Sequence, residues 1–134
     1  MPLPVTSLYA ALLGGLLILL SVRVIGMRRQ YRVALGTPHR LVERAVRAQG
    51  NFAEYVPMAL LLLGLQEGMG QPAWALHALG TALVAGRVLH AWGISREPEV
   101  MRFRVAGMGL TFAVLGVSAA ALLGLALGAA LTGG

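Results

Sequence analysis

The chain has 134 residues, of which 57% are hydrophobic and 12% are charged, and its formal net charge is +6. A soluble domain carries about twice this charged fraction, and the mean hydropathy of +0.76 also argues against a soluble protein. There is no cysteine, which excludes disulfides and catalysis by a thiol of the protein itself.

Four apolar segments follow one another along the chain, at about 5–27, 49–66, 73–94 and 105–131. Each is close to the roughly 20 residues that a helix needs to cross the hydrocarbon core. No alternating strand pattern is present, and only helices or closed barrels can span lipid. We therefore predict an all-α fold, an integral membrane four-helix bundle that forms a single domain over residues 1–134. No cation precedes the first segment, which is predicted to be a retained span rather than a cleaved signal.

All eleven cations are arginines, and most of them lie in two of the three connectors. The connector between the second and third segments has none. Because cytoplasmic loops carry an excess of Lys and Arg, loops 1 and 3 are predicted to be cytoplasmic and both termini to lie outside. This placement explains the positive charge without a nucleic-acid partner. The six arginines of the first connector region are Arg28, Arg29, Arg32, Arg40, Arg44 and Arg47.

The second segment opens with polar residues that a membrane span rarely contains. Thr37 and Pro38 are typical of an N-cap and a first helical residue, so the helix is predicted to begin at Pro38. Arg47, Asn51 and Glu54 are spaced i, i+4 and i+7 and share one face of that helix. A charge inside a span costs roughly 2.5 to 3.5 kcal/mol, so such residues indicate a functional site.

Polar side chains of the other segments are predicted to lie at the same end. Arg87 and His90 are three residues apart in the third segment, and Arg102 and Arg104 precede the fourth. Guanidiniums, a carboxylate, amides and an imidazole suit a small solute that carries carboxylates and an ammonium. A bound thiol beside arginine would ionise more readily. No pair of histidines or acidic residues has metal-ligand spacing, so no metal site is predicted.

The segment Arg47-Ala-Gln-Gly-Asn-Phe-Ala-Glu-Tyr-Val-Pro57 resembles the second-helix signature of the MAPEG family (membrane-associated proteins in eicosanoid and glutathione metabolism). Three shorter segments, 26–32, 86–90 and 102–107, resemble the family's first-loop, third-helix and fourth-helix motifs in matching order. The resemblance, to a bacterial-type member, implies a homotrimer of four-helix subunits. It also implies that glutathione binds as co-substrate between neighbouring subunits, near the cytoplasmic side.

The resemblance also assigns residues to that glutathione site. Arg47, Asn51 and Glu54 would hold the charged ends of glutathione. Either Arg104 or Arg102 would take the place of the catalytic arginine that stabilises the thiolate. The glutathione-binding residues implied by the resemblance are Arg28, Arg47, Gln49, Asn51, Glu54, Tyr55, Arg87 and His90.

Three functions remain open at this point. The first is a membrane glutathione transferase or peroxidase-like protein that attacks lipophilic electrophiles. The second is a non-catalytic lipid-binding or scaffold member of the same fold. The third is a small multidrug exporter, which is disfavoured because such exporters usually place a carboxylate in the first span and this span has none.

Three further predictions concern packing and location. Glu54 and Arg87 could form a structural ion pair, whether or not they also bind a ligand. Gly116, Ala120, Gly124 and Gly128 repeat every four residues, which is typical of helix contact within or between subunits. The absence of lysine and aspartate is typical of a GC-rich bacterial source, and we therefore predict the bacterial inner membrane.

Overall fold

The computed structural model describes residues 1–133, which form four helices and no strand. The helices are α1 (Pro4–Gln30), α2 (Arg40–Gly68), α3 (Ala73–Ser95) and α4 (Met101–Thr132). At about 1.5 Å per residue, the shortest of them, with 23 residues, is long enough to cross a hydrocarbon core of about 30 Å. The predicted all-α four-helix architecture is confirmed.

Two of the helices, α1 and α4, are also apolar enough by composition to be membrane spans. Their outward faces carry large exposed apolar side chains such as Leu19, Phe112 and Leu123. The helices α2 and α3 are less apolar, because they contain the charged and polar residues of the predicted site.

The closest helix contact is made by α3 and α4 and depends on glycine. A Cβ atom built at Gly107 would lie 2.5 Å from the carbonyl oxygen of Gly86 and 2.5 Å from the backbone nitrogen of His90. A Cβ atom at Gly93 would lie 2.5 Å from the backbone nitrogen of Arg104. These glycines let the two backbones touch, and they fix the start of α4 against the end of α3.

The predicted small-residue stripe of α4 does not make contacts of this kind within the chain. A Cβ atom at Gly116, Gly124 or Gly128 would meet nothing within 4 Å, because these positions lie on the face of α4 that is turned away from the bundle. The interpretation of the stripe as a contact within one subunit is therefore wrong. Contact between subunits stays a prediction.

The helix α2 begins two residues later than predicted, at Arg40, and its N-cap is His39. The imidazole Nδ1 of His39 accepts a hydrogen bond from the backbone N–H of Leu41 at 3.2 Å. The ring also stacks on Tyr31, with centroids 3.6 Å apart. The stack holds the imidazole beside the first turn, so that it caps the helix in place of Thr37. We call the end of the bundle with the connectors 31–39 and 96–100 the basic end.

At the opposite end, a carboxylate of α2 caps the first turn of α1. The two oxygens of Glu67 accept hydrogen bonds from the backbone N–H groups of Val5 (2.9 Å) and Thr6 (2.7 Å). Glu67 lies just beyond the predicted second span. Burial acts to raise the pKa of this carboxyl, but the hydrogen bonds from Thr6 and Val5 outweigh it, and the pKa is lower than usual.

Replacement of Glu67 by alanine should lower the free energy of unfolding by about 0.5–2 kcal/mol, because α1 then has no acceptor for its first N–H groups. Since the folded-state pKa lies below the usual 4.5, the stabilisation is complete above that pH and is lost as the pH falls through the folded-state pKa. Thermal unfolding in detergent between pH 7 and pH 3.5 measures both effects. Glu67→Gln keeps one acceptor and should lose less. Equal midpoints for Glu67→Ala and the unaltered protein at pH 7 would contradict the capping role.

Candidate functional site

A buried guanidinium links three helices in the half of the bundle nearer the basic end. The side chain of Arg87, on α3, is 1% exposed. Its Nη2 donates to the side-chain oxygen of Asn51 on α2 at 2.6 Å, and its Nη1 donates to the hydroxyl of Thr111 on α4 at 3.3 Å. That hydroxyl donates in turn to the carbonyl oxygen of Gly107 at 2.8 Å. The guanidinium Nε has no partner among the described residues.

The alternative of an ion pair between Glu54 and Arg87 is wrong within the chain. Glu54 is exposed and takes part in no ion pair within residues 1–133. Asn51, one turn earlier on α2, faces α3 and accepts a hydrogen bond from the guanidinium of Arg87. An amide oxygen does this without the cost of desolvating a second full charge.

The imidazole of His90 is buried one turn further along α3. It is 2% exposed, and its Nδ1 has no hydrogen-bond partner among residues 1–133. Gly107 of α4 lies directly against the backbone of His90. His90 is thus enclosed by the close contact of α3 and α4 and does not line the cavity described next.

A cavity of about 260 Å³ opens at the basic end, between α2, the end of α3 and the start of α4. We call it the polar cavity. Four guanidiniums, two carboxylates and one apolar side chain form its walls. Its lining residues are Arg40, Glu43, Arg44, Arg47, Ile94, Glu99 and Arg104.

Two glutamates of the connector 96–100 hold most of these arginines in place. The Nε of Arg40 lies 2.9 Å from Glu97, and Glu99 lies 3.4 Å from Nη1 of Arg44 and 3.0 Å from Nη1 of Arg104. The fourth lining arginine, Arg47, forms no ion pair within the described chain. It is therefore the cation of the cavity with the most free capacity for an added anion.

A second, larger cavity of about 520 Å³ runs along the outer face of α4. We call it the apolar groove, because five of its six lining residues carry no charge. Arg104 is the sixth, and it also lines the polar cavity. Arg104 thus borders both spaces. The residues that line the apolar groove are Met101, Arg104, Val105, Met108, Gly109 and Phe112.

The two arginines that the sequence left as alternatives have different surroundings. Arg104 is half-buried and lines both cavities, whereas Arg102 is exposed and lies over the ring of Phe103, 5.2 Å from its centroid. Two residues along a helix correspond to a rotation of about 200°. Arg102 and Arg104 therefore point in opposite directions.

Three other predicted residues lie away from the polar cavity. The amide nitrogen of Gln49 donates to the hydroxyl of Ser21 on α1 at 3.1 Å. Arg28 donates to the carbonyl oxygen of a loop glycine at 2.8 Å, and Tyr55 packs edge-on against Phe112 at 5.4 Å. Of the predicted site, Arg47 and Arg104 reach the cavity, and Asn51 and Arg87 form the buried link described above.

Five charged residues of this region were not predicted as site residues: Arg40, Glu43, Arg44, Glu97 and Glu99. A signal for the arginines existed, since Arg40, Arg44 and Arg47 are spaced i, i+4 and i+7 and continue the face of Asn51. Their charge was attributed to membrane topology. No pattern predicted Glu97 and Glu99, which lie in an irregular connector and pair with Arg40 and Arg44 of α2, far away in the sequence.

Comparison with known proteins identifies the family. The model of the MAPEG family matches residues 6–124. The inner membrane protein YecN of Escherichia coli K12 is 38% identical over 112 residues, which is 83% of this chain and 84% of YecN. YecN of E. coli O6:H1 strain CFT073 has the same identity and coverage. With the apolar helices, these relatives support an integral inner membrane protein, while the side on which each connector lies stays a prediction. The chain therefore belongs to the MAPEG family.

Proposed function

We propose that the protein binds glutathione in the polar cavity and activates its thiolate for attack on lipophilic electrophiles. It would act as a membrane glutathione S-transferase or peroxidase-like protein. The observation that carries this proposal is the position of Arg104, which is shared by a charged cavity and an apolar groove. A hydrophilic thiol in the polar cavity and a lipid-soluble electrophile in the apolar groove would both lie beside this residue.

The charges of the polar cavity match the charges of glutathione. The tripeptide carries two carboxylates and one ammonium. Arg47 has free donors for a forked contact with one carboxylate. Arg40 lines the same cavity and is a second cation for the other carboxylate. Glu43 also lines the cavity, takes part in no ion pair within residues 1–133 and is an acceptor for the ammonium.

Activation of the glutathione thiol requires a cation beside the sulfur. A nearby guanidinium lowers the pKa of a bound thiol and so raises the thiolate fraction at neutral pH. The thiolate sulfur then forms a bond to the electrophilic carbon, and the leaving group departs with the bonding electron pair. An electrophile dissolved in the membrane would reach this point along the apolar groove, past Phe112 and Met108.

The proposed assembly is a homotrimer in which the outward face of α2 meets a neighbouring chain. Glu54 lies on that face, exposed and without an ion-pair partner in residues 1–133. A carboxylate that faced hydrocarbon would be costly, and contact with a second copy would remove that cost. Glu54 would then complete a glutathione site to which the neighbouring chain contributes. The proposed orientation puts the basic end in the cytoplasm.

Replacement of Arg104 by glutamine tests the proposal. In the detergent-purified protein with glutathione, we expect roughly tenfold or greater loss of turnover with a lipophilic electrophile, because a donor to the developing anion is removed. The ultraviolet absorbance of the bound thiolate should fall in parallel. Arg29→Gln removes the same charge from the basic end and is the matched control. If Arg102→Gln abolishes the thiolate signal while Arg104→Gln keeps it, the role belongs to Arg102.

One observation favours the non-catalytic lipid-binding or scaffold alternative. The guanidinium of Arg104 already pairs with Glu99 at 3.0 Å, so part of its charge is compensated before any thiol binds. Under this alternative, Glu99→Gln would produce no thiolate signal with glutathione. Under the transferase proposal, the same change should leave Arg104 freer and raise the signal.

A further inference from the structure

Two cavities lie one after the other along the line where α1 and α3 meet, and neither shares a lining residue with the polar cavity. The cavity nearer the basic end, about 380 Å³, is lined by Arg23, Ala91, Trp92, Ser95 and Arg96. The other, about 460 Å³, has mostly apolar walls, and the hydroxyls of its two polar lining residues, Tyr9 and Thr81, bond to each other; it is lined by Leu8, Tyr9, Leu12, Thr81, Val84, Ala85 and Val88. We call the two together the α1–α3 groove.

The two cavities follow one another along a single face of α3. Val84, Val88 and Trp92 are each four residues apart on α3, so their side chains form one row. Arg96, the C-cap residue of α3, continues this row, because its guanidinium lies over Trp92. Twelve residues of helix measure roughly 18 Å, which compares with about 15 Å for one half of the hydrocarbon core. The row is therefore about as long as one leaflet, apolar from Val84 to Trp92 and cationic at Arg96.

The cationic end has two arginines without counter-ions. Arg23 donates to the hydroxyl of Ser95 and, at 3.3 Å, to its carbonyl oxygen, while the guanidinium of Arg96 lies 4.8 Å above the ring centroid of Trp92. Neither arginine forms an ion pair within the part of the chain that the structure describes. This contrasts with three of the four arginines of the polar cavity (Arg40, Arg44 and Arg104), which pair with two glutamates.

The aromatic ring beside these arginines is itself open to the surroundings. Trp92 is 51% exposed, and tryptophan is enriched at the boundary between lipid tails and headgroups. The α1–α3 groove thus has its charges where phosphates lie and its apolar walls where acyl chains lie.

We propose that the α1–α3 groove binds one anionic phospholipid per chain. Its phosphate would lie between Arg23 and Arg96, since guanidiniums make forked bonds to phosphate oxygens. One acyl chain would run past Trp92 and Val88 towards Val84. Two uncompensated positive charges favour a lipid with net negative charge over a zwitterionic one, whose ammonium would lie near a guanidinium. This inference does not depend on the proposed transferase function.

Native mass spectrometry of the detergent-purified protein tests the site. The probes are phosphatidylglycerol, phosphatidylcholine with the same acyl chains, and soluble glycerol 3-phosphate. We expect one phosphatidylglycerol per chain to be retained in preference to phosphatidylcholine, and glycerol 3-phosphate not to compete. The double variant Arg23→Gln/Arg96→Gln should weaken this binding by roughly fivefold for each arginine.

The matched control is Arg29→Gln/Arg32→Gln, which removes two charges from the same end outside the groove. General attraction of anionic lipid would weaken equally in both double variants, and that result would overturn the proposal. Equal retention of the two lipids, or displacement by glycerol 3-phosphate, would also overturn it. Because Arg23 holds the end of α3, Arg96→Gln alone serves as the second variant. A fivefold loss in Arg96→Gln with an unchanged unfolding temperature would support the site.

Discussion

Gly107→Ala is expected to lower the free energy of unfolding by about 3 kcal/mol, the upper end of the usual cost of overpacking. The added methyl group would lie 2.5 Å from two backbone atoms, the oxygen of Gly86 and the nitrogen of His90. Backbone atoms inside a helix cannot move away as a side chain can. The variant can therefore fold only if α3 and α4 separate.

The helix itself provides a control for this prediction. A Cβ atom at Gly109 would meet nothing within 4 Å, and alanine has a higher helix propensity than glycine by about 1 kcal/mol. Gly109→Ala should therefore unfold at the same temperature as the unaltered protein or higher. Thermal unfolding in detergent compares the two variants. Similar midpoints for Gly107→Ala and Gly109→Ala would show that the α3–α4 contact is not as close as described.

The second large effect is expected at the buried contact between Arg87 and Asn51. Arg87→Met should cost about 1–3 kcal/mol, because the side-chain oxygen of Asn51 loses its charged donor. Asn51→Leu should cost more, since it leaves a buried guanidinium without its shortest hydrogen bond. The double variant removes both partners and should be more stable than Asn51→Leu alone.

A double-mutant cycle measures this coupling. We expect the double variant to differ from the sum of the two single changes by about 0.5–3 kcal/mol. Simple additivity would mean that the hydrogen bond contributes nothing to stability. Because Asn51 was also predicted to bind glutathione, any loss of binding in these variants counts only where the protein remains folded at the temperature of the binding experiment.

The positions of the helices could be predicted from the sequence. The third apolar segment, 73–94, became α3 at Ala73–Ser95, because a long apolar run between polar connectors leaves little freedom in where a membrane helix ends. The start of α2 was less predictable. Its cap depends on a stack between Tyr31 and His39, and a contact between two side chains of an irregular loop leaves no periodic trace in the sequence.

The candidate site was predictable as a region but not in its contacts. Periodicity placed Arg47, Asn51 and Glu54 on one face of a helix, yet it does not resolve which of them meets α3. In the structure, Asn51 is the residue that contacts Arg87 of α3. Likewise, small residues in α4 predicted close packing, but the contact is made at Gly107 and not at Gly116 or Gly124. Which residue makes the contact depends on how each helix is rotated about its axis and where it crosses its neighbour. The sequence of one segment alone does not determine either.

The proposed glutathione site is tested most directly by titrating glutathione into the detergent-purified protein in a calorimeter at neutral pH, while thiolate absorbance is recorded in parallel. We expect heat of binding together with a thiolate signal, and loss of the signal in Arg104→Gln. Absence of binding at millimolar glutathione, with the protein folded, would contradict it.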